Sequence, residues 1–203
     1  MLDLAAAGKP LHLLEIGVFK GQTVSLFALC AQQLELLPRI VAVSPFRGNR
    51  PNSALRSTLS LAFDAEFRRQ HRLGNLHRDG DHLADVQRLF TEFDLDFAHV
   101  TPVRGLSTAP DVIERVQRER FTLVFIDGDH SYEVARSDIA NFAPLVEPGG
   151  YIVIDDAATE LPGSGYFKGM KEVSLACREL ERSDFVNVLN VGHNRIFRRL
   201  YSE

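Results

Sequence analysis

The chain has 203 residues, and its 23 basic and 27 acidic side chains leave a formal net charge of −4 at neutral pH. That length suits one α/β domain with a full core. The charge balance offers no basic footprint for nucleic acid or an anionic membrane, so a small molecule is the expected partner. No run approaches the roughly 18 apolar residues of a membrane span, and no basic region precedes an apolar stretch at the N-terminus, so a cytoplasmic protein is expected. The two cysteines, Cys30 and Cys177, are far apart with no metal-binding spacing and read as packed thiols.

Taken in order, the segments alternate as a doubly wound sheet requires. The first strand is His12–Ile16, followed by apolar residues at helical spacing over 22–37 that Pro38 closes. A second strand follows at Arg39–Ser44. The pattern then loosens over 45–96, more than a crossover needs: a polar loop at 47–52, a helix over 57–70, a turn at Gly74-Asn75 and a helix over 82–93. An insertion of this size inside a domain tends to be functional. A third strand is predicted over 97–103, a helix over 109–118 that Pro110 begins, a fourth strand at Phe121–Ile126, a helix over 133–145 and a fifth strand over 150–154. Last come a helix over 170–180 and two strands, 185–191 and 194–200. Gly192-His193 joins these as the turn of an antiparallel hairpin.

Two apolar runs end in acids. Phe125-Ile-Asp-Gly-Asp-His-Ser-Tyr132 closes the fourth strand and Tyr151-Ile-Val-Ile-Asp-Asp156 the fifth. Buried parallel strands deliver such residues to the carboxyl edge of the sheet, where open α/β folds bind ligands. Asp127 and Asp155 are 155 − 127 = 28 residues apart, room for one helix and one strand, so they are expected to be neighbours. Asp127, Asp155 and Asp156 supply hard oxygen donors, which favour magnesium, calcium or manganese over zinc, with magnesium preferred. The bland alternative for each strand end is a cap or a solvated turn.

The first strand runs into Glu15-Ile-Gly17-Val-Phe19-Lys-Gly21-Gln-Thr23. Glycines four apart let the backbone turn sharply and approach a ligand closely, and the next helix offers free N–H groups. The triplet G-x-G-x-x-G is missing, and Glu15 would repel a phosphate but pair with an ammonium group.

This motif resembles motif I of the class I S-adenosylmethionine-dependent methyltransferases. The acidic strand ends resemble their metal-dependent O-methyltransferase branch, which includes sugar O-methyltransferases and shares its metal site with the catechol enzymes. The resemblance spans most of the chain and implies a Rossmann-like, seven-stranded sheet, mostly parallel, with an antiparallel C-terminal hairpin. It implies S-adenosyl-L-methionine as cofactor, contacted by Glu15, Gly17, Phe19, Gly21 and Thr23. It also implies a divalent cation, Mg2+ or a similar ion, on Asp127, Asp155 and Asp156. Family members usually end the second strand with an acid that grips both ribose hydroxyls. Here that position is Ser44, which cannot accept with two oxygens. Gly105 and Ser107 fall where the family often places residues beside the adenine, with a helix cap at Ser107, Thr108 or Asp111 as the alternative.

His130, three residues beyond Asp127, is the candidate general base because an ordinary pKa near 6.5 suits proton removal at neutral pH. Asp129 is the rival base or the group that orients His130, and a helix-capping role for His130 is the bland reading. His193 reads as a turn residue. Acceptor recognition is assigned to the insertion and to the loop 157–166, with Gly163 and Gly165 as flap hinges and Tyr166 and Lys168 as contacts. Tryptophan is absent, so a sugar or polyol is at least as plausible an acceptor as a catechol. Two alternatives stay open: a metal-independent enzyme acting on nitrogen or oxygen, and a non-catalytic cofactor-binding or assembly module. Thin cover on one sheet face favours a homodimer.

Overall fold

Alternating apolar runs and amphipathic segments become, in the computed structural model, one sheet with helices on both faces; residues 1–51, 53–163 and 166–201 are described. The elements are α1 (Leu2–Ala6), β1 (His12–Ile16), α2 (Gln22–Gln33), β2 (Arg39–Ser44), α3 (Ala54–Phe63), α4 (Ala65–Arg72), α5 (His82–Glu92) and β3 (Val100–Arg104). After these come α6 (Pro110–Val116), β4 (Phe121–Ile126), α7 (Tyr132–Phe142), β5 (Val146–Ile154), α8 (Lys171–Ala176), β6 (Phe185–Val191) and β7 (Asn194–Arg199). The sheet order is β3-β2-β1-β4-β5-β7-β6. All pairs are parallel except β5–β7 and β6–β7, so the seven-stranded sheet with an antiparallel hairpin stands as expected.

Period-2 alternation sends neighbours on one strand to opposite layers. Leu14, Ile16, Val41 and Val43 pack with α6, α7 and α8, while Leu13, Ile40 and Ala42 pack with α2 and α5. Both faces of the central strands are buried, which is why they read as continuous apolar runs. The thinly covered face carries the short α1, whose Leu4 is buried; Tyr151 reaches it by donating to Asp3 Oδ2 at 3.1 Å.

Several boundaries moved. The helix expected over 57–70 is two helices, broken at Asp64, whose backbone is extended and whose carboxylate caps α4 by accepting from Phe67 N at 3.0 Å. Asp, with its short oxygen-bearing side chain, prefers that role to a helix interior. The third strand begins only at Val100, because Asp96 accepts from Ala98 N and starts a short 3₁₀ turn. The helices expected to end at 145 and 180 finish in 3₁₀ turns. No helix among the described residues is long and apolar enough to cross a membrane.

Candidate active site

Register places the acids. Ile16 on β1, Ile126 on β4 and Ile154 on β5 are direct partners across three parallel strands, so the chain leaves the sheet at one level in all three. The ladder continues one residue further: Asp127 N donates to Ile16 O at 2.8 Å and Asp155 N to Ile126 O at 3.0 Å. Gly17, Asp127 and Asp155 therefore emerge side by side, with Asp127 and Asp155 neighbours despite the intervening helix.

The motif I loop closes against this edge. Gly17 has φ +93°, and a Cβ there would overlap the Asp127 carbonyl. Gly21, at φ +90°, would push a Cβ into Val86 of α5 at 2.8 Å. The glycine spacing thus serves backbone contact with β4 and helix packing. Between them Phe19 stands at φ 45° with its ring 4.6 Å from His77 and 5.1 Å from His82. Thr23 is half-buried in the first turn of α2. Glu15 is 1% exposed and its Oε2 has no hydrogen-bond partner. Complete burial, with the charge of Asp127 adding to it, holds its carboxyl well above the usual carboxylate range. An orphaned buried acceptor of this kind fits the ammonium group of an amino-acid moiety, which would supply the missing donors.

Beyond β2 and β3 the next three expected contacts gather. Ser44 O accepts from Gly105 N at 3.0 Å, and Ser44 Oγ accepts from Phe46 N at 3.3 Å. Gly105 is tightly packed, since a Cβ would meet Val112 at 2.5 Å. The capping alternative for Ser107, Thr108 or Asp111 does not hold: the N-cap of α6 is Ala109, with Pro110 in the first turn and no side-chain cap. Ser107 instead lies near Asp138, a fully buried acid on α7 whose two carboxylate oxygens have no hydrogen-bond partner. Burial pushes the Asp138 carboxyl up to about 7; the Ser107 hydroxyl pulls it down and the charge of Asp129 adds to the rise.

His130 sits on the other side of the acids. Its backbone N donates to Asn75 Oδ1 at 3.1 Å and its Nδ1 to Leu73 O at 2.6 Å, so the insertion fixes the ring. Nε2 is left facing Asp156 Oδ2 at 3.5 Å and Asp127 Oδ1 at 3.7 Å. The ring does not keep its ordinary pKa. Burial alone would lower it, but Asp127, the Leu73 carbonyl and Asp156 outweigh burial and lift it to about 9. At neutral pH it is an imidazolium in this arrangement. The helix-cap reading also fails, because the N-cap of α7 is Ser131 with no side-chain cap, and the loop before it is held by Asp129 Oδ1 accepting from Ser131 N at 2.8 Å.

The residue that sequence reasoning missed is His193. It occupies the predicted hairpin turn, where Gly192 has φ 61°, yet the turn folds over the fifth-strand acids. His193 Nδ1 lies 2.8 Å from Asp155 Oδ1 and 2.9 Å from Asp156 Oδ1. These three residues offer ligand atoms within 4.8 Å of one another. Asp127 is outside that trio but close enough to act on it. Burial first, then the charge of Asp127, raises Asp155 to about 6 against the opposing pull of His193. Asp156 is raised by burial against His130 and His193, and has φ 54°, a left-handed conformation unusual outside glycine that is typical of constrained functional positions. A set of carboxylates that burial makes reluctant to ionise, with an imidazole beside them, fits a divalent cation, although the nitrogen makes it less strictly a magnesium set than the three acids implied.

The loop after β5 is held by Lys168 Nζ, which donates to Leu161 O at 2.6 Å. Phe167 has its ring 5.5 Å from His193, and both it and Tyr166 are exposed. The expected hinge at Gly165 lies outside the described residues; its partner Gly163 has φ 141°.

A family model described as a methyltransferase domain matches residues 14–157, a span running from motif I through both acidic strand ends. The chain belongs to this methyltransferase family. Among solved structures, the O-methyltransferase NovP is 20% identical, with 98% of this chain and 76% of that one covered at a TM-score of 0.65. CalS11, a calicheamicin methyltransferase, is 18% identical over 97% of this chain and 77% of its own, with a TM-score of 0.60. The O-methyltransferase TomG from Streptomyces achromogenes, solved with S-adenosylmethionine, is 18% identical over 98% and 77% with a TM-score of 0.56. At these identities the likeness speaks for the fold. The methyltransferase accordingly has the class I, S-adenosylmethionine-dependent architecture.

Proposed function

We propose that this methyltransferase is O-directed and metal-dependent, moving the methyl group of S-adenosylmethionine to a hydroxyl of a small molecule or sugar. The observation that carries the proposal is the convergence of Asp127, Asp155, Asp156, His130 and His193 on one edge, beside the orphaned Glu15. NovP and TomG are O-methyltransferases, and CalS11 is described as a TDP-rhamnose 3'-O-methyltransferase, which agrees with a sugar as acceptor.

On this reading Asp127, Asp155 and Asp156 hold the cation, with His193 Nδ1 as a further donor. When bound, such an ion lowers the pKa of a coordinated hydroxyl and orients it. Glu15 would anchor the cofactor's ammonium group, Gly17 and Gly21 let the loop lie close, and Ser44 offers one hydroxyl to the ribose. Gly105 and Ser107 would flank the adenine. His130 Nε2, facing Asp127 and Asp156, is the group placed to take the proton of the acceptor hydroxyl, and a cation on those carboxylates would oppose the charge that lifts the ring. Asp129, which accepts from Ser131 N, keeps the His130 loop in place. Displacement at the methyl carbon needs nucleophile, carbon and sulfur nearly in line, so holding both partners on one rigid sheet edge supplies much of the rate.

The test is Asp155→Ala. Metal-dependent transfer should fall by at least about a hundredfold, while titration with S-adenosylhomocysteine remains within a few-fold of wild type. Full activity after exhaustive chelation would overturn the metal role, and a silent titration of the wild-type protein would overturn the enzyme reading of this site.

A further inference from the structure

The insertion contains a cleft that the cofactor and the acids do not explain. It has a volume of about 620 Å³ and lies between the strand-like segment after β2 and the first two turns of α3. Three guanidinium groups line it, those of Arg47, Arg50 and Arg56, against a single carboxylate, Asp79. Asp79 is engaged by Arg47 at 2.9 Å. Arg50 and Arg56 have no ion-pair partner among the described residues, so two cations face a common cavity in a protein whose net charge is negative. Adjacent unpaired guanidinium groups repel each other, and an anion between them removes that repulsion. Arginine's planar fork matches phosphate oxygens in a bidentate manner.

The cleft is joined to the reaction centre by hydrogen bonds. Asn49 on its wall donates from Nδ2 to Asn75 O at 2.9 Å and accepts at Oδ1 from His77 N at 3.0 Å. Asn75 in turn accepts from His130 N at 3.1 Å. Asn75 thus ties the wall of the cleft to the loop that carries the candidate base, so both belong to one face of the insertion. The volume is within the range of small-molecule sites and accommodates a diphosphate with a pendant group, for which Leu59 offers an apolar contact.

We propose that the acceptor carries a phosphate or diphosphate, bound by Arg50 and Arg56 with Arg47 in support, as in a sugar phosphate or a nucleotide-activated sugar. This rests on the methyltransferase reading, and the experiment separates the two. Full-length protein in EDTA is titrated calorimetrically with inorganic pyrophosphate, with UDP and, in parallel, with S-adenosylhomocysteine. Pyrophosphate or UDP should bind in the submillimolar range, weaken with added salt, and lose about tenfold or more in affinity in the Arg50→Ala/Arg56→Ala variant. S-adenosylhomocysteine binding should stay unchanged in that variant. The Arg50→Lys/Arg56→Lys variant, which keeps charge but not the fork, should retain part of the affinity and guards against a folding artefact. UDP binding more tightly than pyrophosphate identifies a nucleotide-activated sugar, and equal affinities identify a sugar phosphate. No binding of either probe at millimolar concentration, or equal binding by wild type and the alanine variant, overturns the proposal. If S-adenosylhomocysteine alone binds, the methyltransferase reading stands without it.

Discussion

At the scale of the residue, the end of β2 is where this chain departs from the pattern it resembles. Ser44 is buried, and its hydroxyl oxygen already accepts from Phe46 N, leaving one O–H to donate. An aspartate there could accept from Phe46 N and still present an oxygen to the ribose, so Ser44→Asp should tighten S-adenosylhomocysteine binding about three- to tenfold, a gain of order 1 kcal/mol for one charge-assisted hydrogen bond. Calorimetry decides this, and weaker binding would mean that another group already holds the ribose. His193 presents the opposite situation, a residue without a motif that the fold carries to the acids. His193→Ala should weaken divalent-cation affinity by roughly ten- to a hundredfold, as loss of an imidazole at a metal site typically does. Unaltered cation affinity would reduce His193 to a counter-charge for Asp155 and Asp156. Sequence could not show this, because Gly192-His193 has every mark of a plain hairpin turn and the acids it meets lie 37 or more positions earlier in the chain, counting 193 − 156.

At the scale of the element, the segment over 45–96 divides by role. Its last helix, α5, packs on the sheet beside α2, with Val86 against Gly21 and Phe90 in the core. The part before it arches over the acids. Leu73, Gly74 and Asn75, at the end of α4, grip His130, and Arg69 reaches Glu133 at 3.0 Å. Asn75 is buried and joins three partners, His130 N, Gln70 Oε1 and the Asn49 amide. Asn75→Ala should therefore cost about 1–3 kcal/mol of stability by leaving the His130 N–H and the Gln70 side-chain carbonyl without their partner. It should also lower kcat while leaving the KM for S-adenosylmethionine near wild type, because the cofactor edge is untouched. A matching loss in both parameters would point to general unfolding of the arch. The insertion was legible as an interruption of the alternation, but its contact with His130 was not: Asn75 carries no chemical motif and acts only through where its loop lands.

At the scale of the whole molecule, Asp138 carries an electrostatic cost away from the strand-end acids. Its carboxyl, ordinarily at 3.8, is pushed up to about 7 in the fold, chiefly by burial. The folded value lies above the unfolded one, so the stability it contributes is fully present below about pH 4 and is lost as pH rises through about 7. The difference is on the order of a few kcal/mol. Asp138→Asn removes this titration. Denaturation of both proteins across pH 4 to 8 should show the variant gaining on wild type as pH rises, and parallel curves would contradict a buried neutral Asp138. The same burial explains why the sheet was readable. Runs such as Phe121–Ile126 are covered on both faces and so appear as unbroken apolar stretches, while the exits of β1, β3, β4 and β5 are punctuated by glycine or acid.

By itself the sequence determined the strand count, the hairpin, the motif I loop and the pairing of two acidic strand ends, because these depend on local periodicity and on short connections that leave few alternatives. Tertiary structure alone decided that Ile16, Ile126 and Ile154 stand level, that Asn75 and Leu73 clamp His130 where Asp127, the Leu73 carbonyl and Asp156 lift its pKa instead of leaving it near 6.5, and that His193 joins Asp155 and Asp156. Those outcomes come from distant segments meeting at one sheet edge, where these three groups raise His130 while Asn75 only holds its backbone, and none of this is written in the local spacing of residues.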